Sequence, residues 1–186
     1  GIGNGGGCLT TQQTGIGYPM ASLIEETYEV SMHLDKPAKI VADGGFKKYA
    51  DVIKALAIGA DYVMLGSILN KALESAGETV DEDGEAIDQY SQSAESYLKA
   101  GGKLSKKFRG MSTKEVQSSW GKKNLKTSEG VVRLHDVEYT LSGWVENFRH
   151  YLKSAMSYTD SRNLSEFIGQ VQYNQITTAS FNRYNK

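Results

Sequence analysis

The chain has few of the residues that pin or stiffen a fold: of 186 residues, one is cysteine, two are proline and three are histidine. A single Cys excludes an internal disulfide framework and a cysteine zinc cluster, and the expected setting is a reducing cytoplasm. Neither charge sign dominates. Lys and Arg (21) balance Asp and Glu (22), a net charge of -1, so no bulk field points to nucleic acid or to an acidic membrane surface. No apolar run approaches the ~18 residues of a membrane span, and residues 1–19 do not read as a secretory signal. The mean hydropathy of -0.44 is hydrophilic for a chain that must bury a whole core, so part of that core is expected from elsewhere.

Glycine is plentiful. Positions 1, 3, 5, 6 and 7 are all Gly and lead directly to the lone Cys8. A lone cysteine is as a rule a small buried hydrophobe. Here the glycines remove side-chain bulk around the sulfur, and Thr10 and Thr11 follow it with hydroxyls. Apolar packing has no use for that arrangement, whereas a substrate approaching a nucleophile has.

Beyond this loop the hydrophobic period alternates. Leu23, Ile24, Tyr28 and Met32 have helical spacing, and 38–45 reads as a short buried strand running into Asp43-Gly44-Gly45. Residues 49–60 return to helical period with Val52, Ile53, Leu56 and Ala60. Residues 61–67 form a second strand ending at Gly66-Ser67, and 68–75 a short helix. Strand, helix, strand, helix at this spacing predicts parallel βαβ units and an α/β fold. Residues 77–107 are polar and read as an acidic turn plus a surface excursion, either a mobile hairpin or a helix around 86–100. Residues 108–132 read as a flap, 137–160 as a helix with Val137, Leu141, Trp144, Val145, Phe148 and Leu152 on one stripe, and 161–186 as an extended tail. The lysines at 106–107 and 122–123 read as solvated surface, and the three histidines receive no role.

Loops at the carboxyl ends of parallel strands build sites. Asp43 can hold ribose hydroxyls there, and the Gly44-Gly45 backbone can approach a phosphate. The next strand ends in another small pair, Gly66-Ser67. Two consecutive turns of this kind match a barrel phosphate site formed after strands 7 and 8. Arg109, Gly110 and Ser112 add donors, and Glu129 lies between Ser128 and Gly130.

In order, G-x-G-x-G-x-x-C-x-T-T, T-G-x-G-Y-P, D-G-G, G-A-D-x-V-M-L-G, R-G-M-S and S-E-G resemble the IMP dehydrogenase/GMP reductase family from Gly1 to about Ile176. The resemblance implies the C-terminal part of a (β/α)8 TIM barrel, from the catalytic loop after strand 6 (1–19) through strand 8, within one domain spanning 1–186. An N-terminal half would be supplied separately, since a whole barrel takes ~200–250 residues or more. It implies that Cys8 attacks C2 of a purine nucleotide while Thr10 and Glu129 handle the departing amine. Asp43 would bind ribose. The backbones of Gly45, Gly66 and Ser67 would bind phosphate, and Met111, Ser112 and Gly130 would lie around base and ribose. A monovalent cation such as K+ would sit on carbonyls of Gly3, Gly5 and Cys8.

Within the family, "TGIGYP" and "KTSEG" resemble the reductase branch, and no Arg-Tyr pair that could activate water lies between Ser112 and Ser128. The implied activity is NADPH-dependent reductive deamination of GMP to IMP and ammonia, in a cytoplasmic homotetramer with no nucleic-acid or membrane partner. An NAD-dependent IMP dehydrogenase is the alternative. A third reading, a non-catalytic nucleotide-binding relative, draws on Gly6 and Leu9, which stand where the family usually has Ser and Thr, and on the polar stretch 86–104.

Overall fold

The computed structural model describes residues 14–109, 113–121, 123, 124 and 132–184. Its first element is helix α1 (Met20–Met32), which starts after Pro19 and buries Ile24. Strand β1 (Val41–Asp43) follows, then α2 (Tyr49–Ala57), β2 (Tyr62–Met64) and the short α3 (Ser67–Asn70). β1 and β2 pair in parallel, with Val41 opposite Tyr62, Ala42 opposite Val63 and Asp43 opposite Met64. This is the βαβ unit that the sequence periods predict.

Side chains alternate across a strand, and the two faces of this small sheet differ. Ala42 and Val63 point to the helices, where Ile24, Phe46, Val52, Ala55 and Ala60 form one apolar cluster with Phe148 against it. The opposite face has no cover among the described residues: Val41, Tyr62 and Met64 are 53%, 59% and 55% exposed. A continuous groove of about 460 Å³ runs between α1 and β1, lined by Leu23, Ile24, Val30, Leu34 and Ile40 through Asp43. Apolar area of this kind is worth roughly 25 cal/mol per Å² once removed from water.

The second sheet is antiparallel, in the order β3 (Thr79–Val80), β4 (Ser105–Arg109), β5 (Val132–Asp136). Helix α4 (Gln92–Lys99) lies between β3 and β4 in sequence, its N-terminus capped by Ser91, whose hydroxyl accepts from the Ala94 amide. The acidic turn at 81–85 is organised by Asp81, which accepts from the amides of Asp83 at 3.0 Å and Glu85 at 2.9 Å. The excursion at 77–107 contains the helix expected around 86–100, and it is packed rather than loose. Leu73, Ala94, Leu104 and Val137 form its core, with Ile87 and Leu98 against them. Its apolar residues are scattered over 73–137, so no single run in the sequence marks them as one core.

Two further findings concern the chain after β4. Helix α5 (Lys114–Ser119), capped by Thr113, buries Val116 and Gln117 within the segment read as a flap. Helix α6 (Leu141–Tyr158) carries Trp144 buried, but Leu141 and Val145 are 42% and 40% exposed, and Val137 precedes the helix. The reason is the aromatic contact with α2. Tyr49 meets Trp144 at 5.3 Å and Tyr151 at 5.2 Å, and Trp144 stacks on Phe148 at 5.4 Å, so the helix packs through Trp144 and the half-buried Phe148 and Leu152.

Beyond α6 the chain docks rather than extends. Helix α7 (Leu164–Phe167) buries Phe167, and the Gly169 amide donates to the carbonyl oxygens of Ala57 at 3.1 Å and Leu56 at 3.3 Å. Gly59 (φ +119) and Gly169 (φ +67) both lie against the Tyr28 ring, so a Cβ at either would collide with it in addition to the left-handed backbone. Helix α8 (Thr178–Tyr184) ends the described chain. Among the described residues, no helix is long and apolar enough to cross a membrane.

Candidate active site

The parallel pair sets the geometry. Because Asp43 pairs with Met64, the turns after β1 and β2 leave adjacent strands at the same end. Asp43 is the half-buried last residue of β1. Gly44 and Gly45 follow at φ +104 and +85, a backbone region that L side chains rarely adopt, so two successive glycines are required there. Asp51 then fixes the turn by accepting from the Lys47 amide at 3.0 Å and the Lys48 amide at 3.2 Å. On the neighbouring turn, Gly66 caps α3, and a Cβ built on it meets nothing within 4 Å. Asp43, Gly44, Gly45, Gly66 and Ser67 thus come together at one strand end.

Segment 67–74 is stitched to the start of α6. The Tyr139 hydroxyl donates to the Ile68 carbonyl, the Leu73 amide to Tyr139 O at 2.9 Å and the Glu138 amide to Lys71 O at 2.9 Å. Burial pushes the Tyr139 phenol up to about 12, so it remains a donor at neutral pH. A turn of small residues, mobile by itself, is in this way held by a distant helix start.

Arg109, at the end of β4, is exposed and lies 3.6 Å from Glu115. The Lys107 ammonium, at 2.9 Å from the same carboxylate, holds Glu115 below the usual carboxylate range. Cys8, Thr10, Gly3, Gly5, Gly110, Met111, Ser112, Ser128, Glu129 and Gly130 lie outside the described residues.

Three features escaped the sequence reading. Beside Ser67 a cavity of about 460 Å³ opens between the β1–β2 turns and the antiparallel sheet, with Lys47, Lys71, Phe108, Arg133 and His135 in its walls. Arg133 and His135 are two residues apart on β5, whereas Lys47, Lys71 and Phe108 come from three other parts of the chain. Histidine 135, given no role, packs edge-on against Phe108 at 5.8 Å. Lysine 106, read as solvated, is fully buried. Its ammonium donates to Ser75 O at 2.6 Å, to Gly77 O at 3.4 Å and to the Gln89 side-chain oxygen. Three acceptors match the three N–H donors of an ammonium, yet burial pulls its pKa down to about 8.

Parallel strands joined through a helix, with turns of small residues at their carboxyl ends, define one sector of an α/β barrel. The chain belongs to the IMP dehydrogenase / GMP reductase family, whose domain profile matches residues 1–185. A protein named GMP reductase from Vibrio vulnificus (strain YJ016) is 31% identical over 188 residues, covering 100% of this chain and 48% of the relative. An inosine-5'-monophosphate dehydrogenase from Aquifex aeolicus is 33% identical over 97% of the chain and 34% of the relative. Among solved structures, the C318A variant of Trypanosoma brucei GMP reductase, crystallised in complex with guanosine 5'-monophosphate, superposes with a TM-score of 0.79 at 24% identity. The match covers 100% of this chain and 35% of that one. The fold is therefore part of a TIM barrel, and the chain spans about half the length of the Vibrio GMP reductase and about a third of the Trypanosoma brucei chain.

Proposed function

We propose that this chain is the C-terminal part (1–186, one domain) of a purine nucleotide oxidoreductase that converts GMP to IMP and ammonia. The observation that carries the reading is the joining of Asp43-Gly44-Gly45 and Gly66-Ser67 at one end of two parallel strands, in a chain whose family relatives include proteins named GMP reductase. The bare face of Val41, Tyr62 and Met64 and the free edges of the two-stranded sheet are where the remaining barrel strands would pair.

In this reading Asp43 accepts hydrogen bonds from ribose hydroxyls, and the amides of Gly45, Gly66 and Ser67 receive the substrate phosphate. Arg109, Gly110, Met111, Ser112, Ser128 and Gly130 complete the substrate lining. The Cys8 thiolate adds to C2 of the guanine. The C2–N2 bond then breaks with its electron pair on nitrogen, and Glu129 with Thr10 delivers the proton that lets ammonia leave, general acid work of ~10²–10⁴-fold. NADPH supplies the hydride that C2 receives before the C2–S bond breaks and the thiolate is released. Carbonyls of Gly3, Gly5 and Cys8 would hold a monovalent cation such as K+ and so shape the loop. A homo-oligomer, a tetramer, is the proposed assembly, and the cytoplasm its proposed location.

The test uses the complete barrel. With GMP and NADPH, NADPH oxidation accompanied by IMP and ammonia is expected, falling to background in Cys8→Ala. NADH formation from IMP and NAD instead would establish the dehydrogenase, the reading favoured by the Aquifex relative. Tight GMP binding without turnover would leave a nucleotide-binding relative.

A further inference from the structure

Lys106 is fully buried and pairs with no carboxylate among the described residues. An ammonium withdrawn from water is costly, and a neutral side chain would avoid that cost. What the ammonium adds is direction. Its acceptors, Ser75 O, Gly77 O and the Gln89 side-chain oxygen, lie on two separate parts of the chain. Gln89 is fixed in turn: its amide donates to Ser75 O at 3.1 Å, and its oxygen accepts from the Thr79 hydroxyl at 3.0 Å. The bonds continue toward the strand-end site. The Ser75 hydroxyl donates to Asn70 Oδ1 at 3.2 Å, and the Asn70 amide donates to Gly66 O at 3.2 Å. On the other side, Lys106 stands on β4, which ends at Arg109. The two segments have little slack between them. The Lys107 amide donates to Glu78 O at 3.1 Å, and a Cβ on Gly77 would meet Lys107 O at 3.0 Å.

We propose that Lys106 is a positioning residue that locks the segment behind the Gly66-Ser67 turn to the strand leading into Arg109. The inference rests on the proposed function, in which one of these ends receives the phosphate and the other lines the rest of the nucleotide. Lys106 touches no substrate. It acts through the backbone at 75–77 and sets the span between the two ends. Hydrogen bonds to fixed acceptors specify one relative position, whereas apolar contact is non-directional and permits sliding. A ligand gripped at both ends gains from a span fixed in advance, because neither end has to be ordered on binding. A ligand that touches one end gains nothing from it.

The experiment is calorimetric titration of GMP and guanosine into the complete protein, into Lys106→Met and into Leu104→Ala. Leu104 is an enclosed core neighbour whose side chain makes none of these bonds, so its truncation separates lost stability from the lost tie. Circular dichroism verifies that each variant is folded at the temperature used. GMP should bind Lys106→Met roughly tenfold more weakly than the wild type and bind Leu104→Ala as it binds the wild type. Guanosine, lacking a phosphate, should not distinguish the three proteins. In turnover the loss should fall on KM for GMP, with kcat within about threefold. If Lys106→Met does not fold, Gln89→Leu, which removes one acceptor and the link to Ser75, takes its place with the same expected pattern. Equal GMP affinity in wild type and variant, a matching loss in Leu104→Ala, or an equal loss for guanosine overturns the inference. A wild type that does not bind GMP removes the proposed function, and hydrogen exchange then decides on Lys106 alone. Faster exchange of the Leu69, Asn70 and Lys107 amides in Lys106→Met than in Leu104→Ala sustains the tie, and equal exchange overturns it.

Discussion

The two sheets of this chain solve the same problem in opposite ways. The antiparallel sheet closes its own core: Leu104 is 1% exposed, Ala94 1%, and even Lys106 is fully enclosed by carbonyl acceptors from the chain around it. The parallel pair buries one face on helices and presents the other, Val41, Tyr62 and Met64, to whatever completes the barrel. The difference follows from topology. The three antiparallel strands all lie within residues 79–136 and pair with one another, whereas a barrel strand needs neighbours that only the whole ring provides. The site at the strand ends therefore sits on the less complete half of the molecule, steadied by contacts from the more complete half through Tyr139, Lys71 and Glu138.

The largest effect that would break this contrast is in backbone protection. In this chain alone, amides of β1 and β2 should exchange ~10³-fold faster than in the complete barrel, while those of β4 and β5 should change far less. Equal loss of protection in both sheets would show that the antiparallel unit also depends on the missing strands. Next in size, Leu104→Ala should destabilise by about 3 kcal/mol in urea unfolding of the complete protein, the usual cost of truncating an enclosed leucine.

A smaller effect tests the polar half of that core. Lys106→Met leaves the Ser75, Gly77 and Gln89 oxygens without their donor and should cost about 2 kcal/mol near pH 7. Its pH dependence is the sharper reading. In the folded protein burial lowers the Lys106 pKa from 10.5 to about 8, so between these values the unfolded chain binds more protons, and the contribution of this group to stability rises with pH. The wild-type unfolding midpoint should therefore climb from pH 8 toward 10 relative to that of Lys106→Met. Parallel pH profiles would mean that the ammonium keeps its ordinary pKa inside the fold.

Much of the architecture could be read in advance where period and punctuation agree. The βαβ unit was legible because 49–57 has a helical apolar stripe and both strands end in small residues; after β1 the positive φ of Gly44 and Gly45 shows that glycine is needed there. The family was legible because its motifs recur in a fixed order. The packing of the excursion was not legible because its core residues, Leu73, Ile87, Ala94, Leu98, Leu104 and Val137, are spread over more than sixty residues between polar ones. Lys106 and Lys107 differ only in which side of β4 they occupy, a one-residue alternation that places one in a carbonyl cage and the other beside Glu115. On α6, Leu141 and Val145 belong to the apolar period yet lie exposed, since the aromatic contact of Tyr49 with Trp144 draws the helix onto its Trp144 and Phe148 side.

What the sequence determined by itself was local: which segments are helix or strand, where glycine must stand, and which ordered motifs mark the family. All of these follow from backbone sterics and residue spacing over a few turns of chain. Only the tertiary structure decided that Lys47, Lys71, Arg133 and His135 share one cavity beside Ser67, and that Lys106 is inside. Those facts depend on how separate elements are packed against one another, and the burial and charge created there belong to no single stretch of residues.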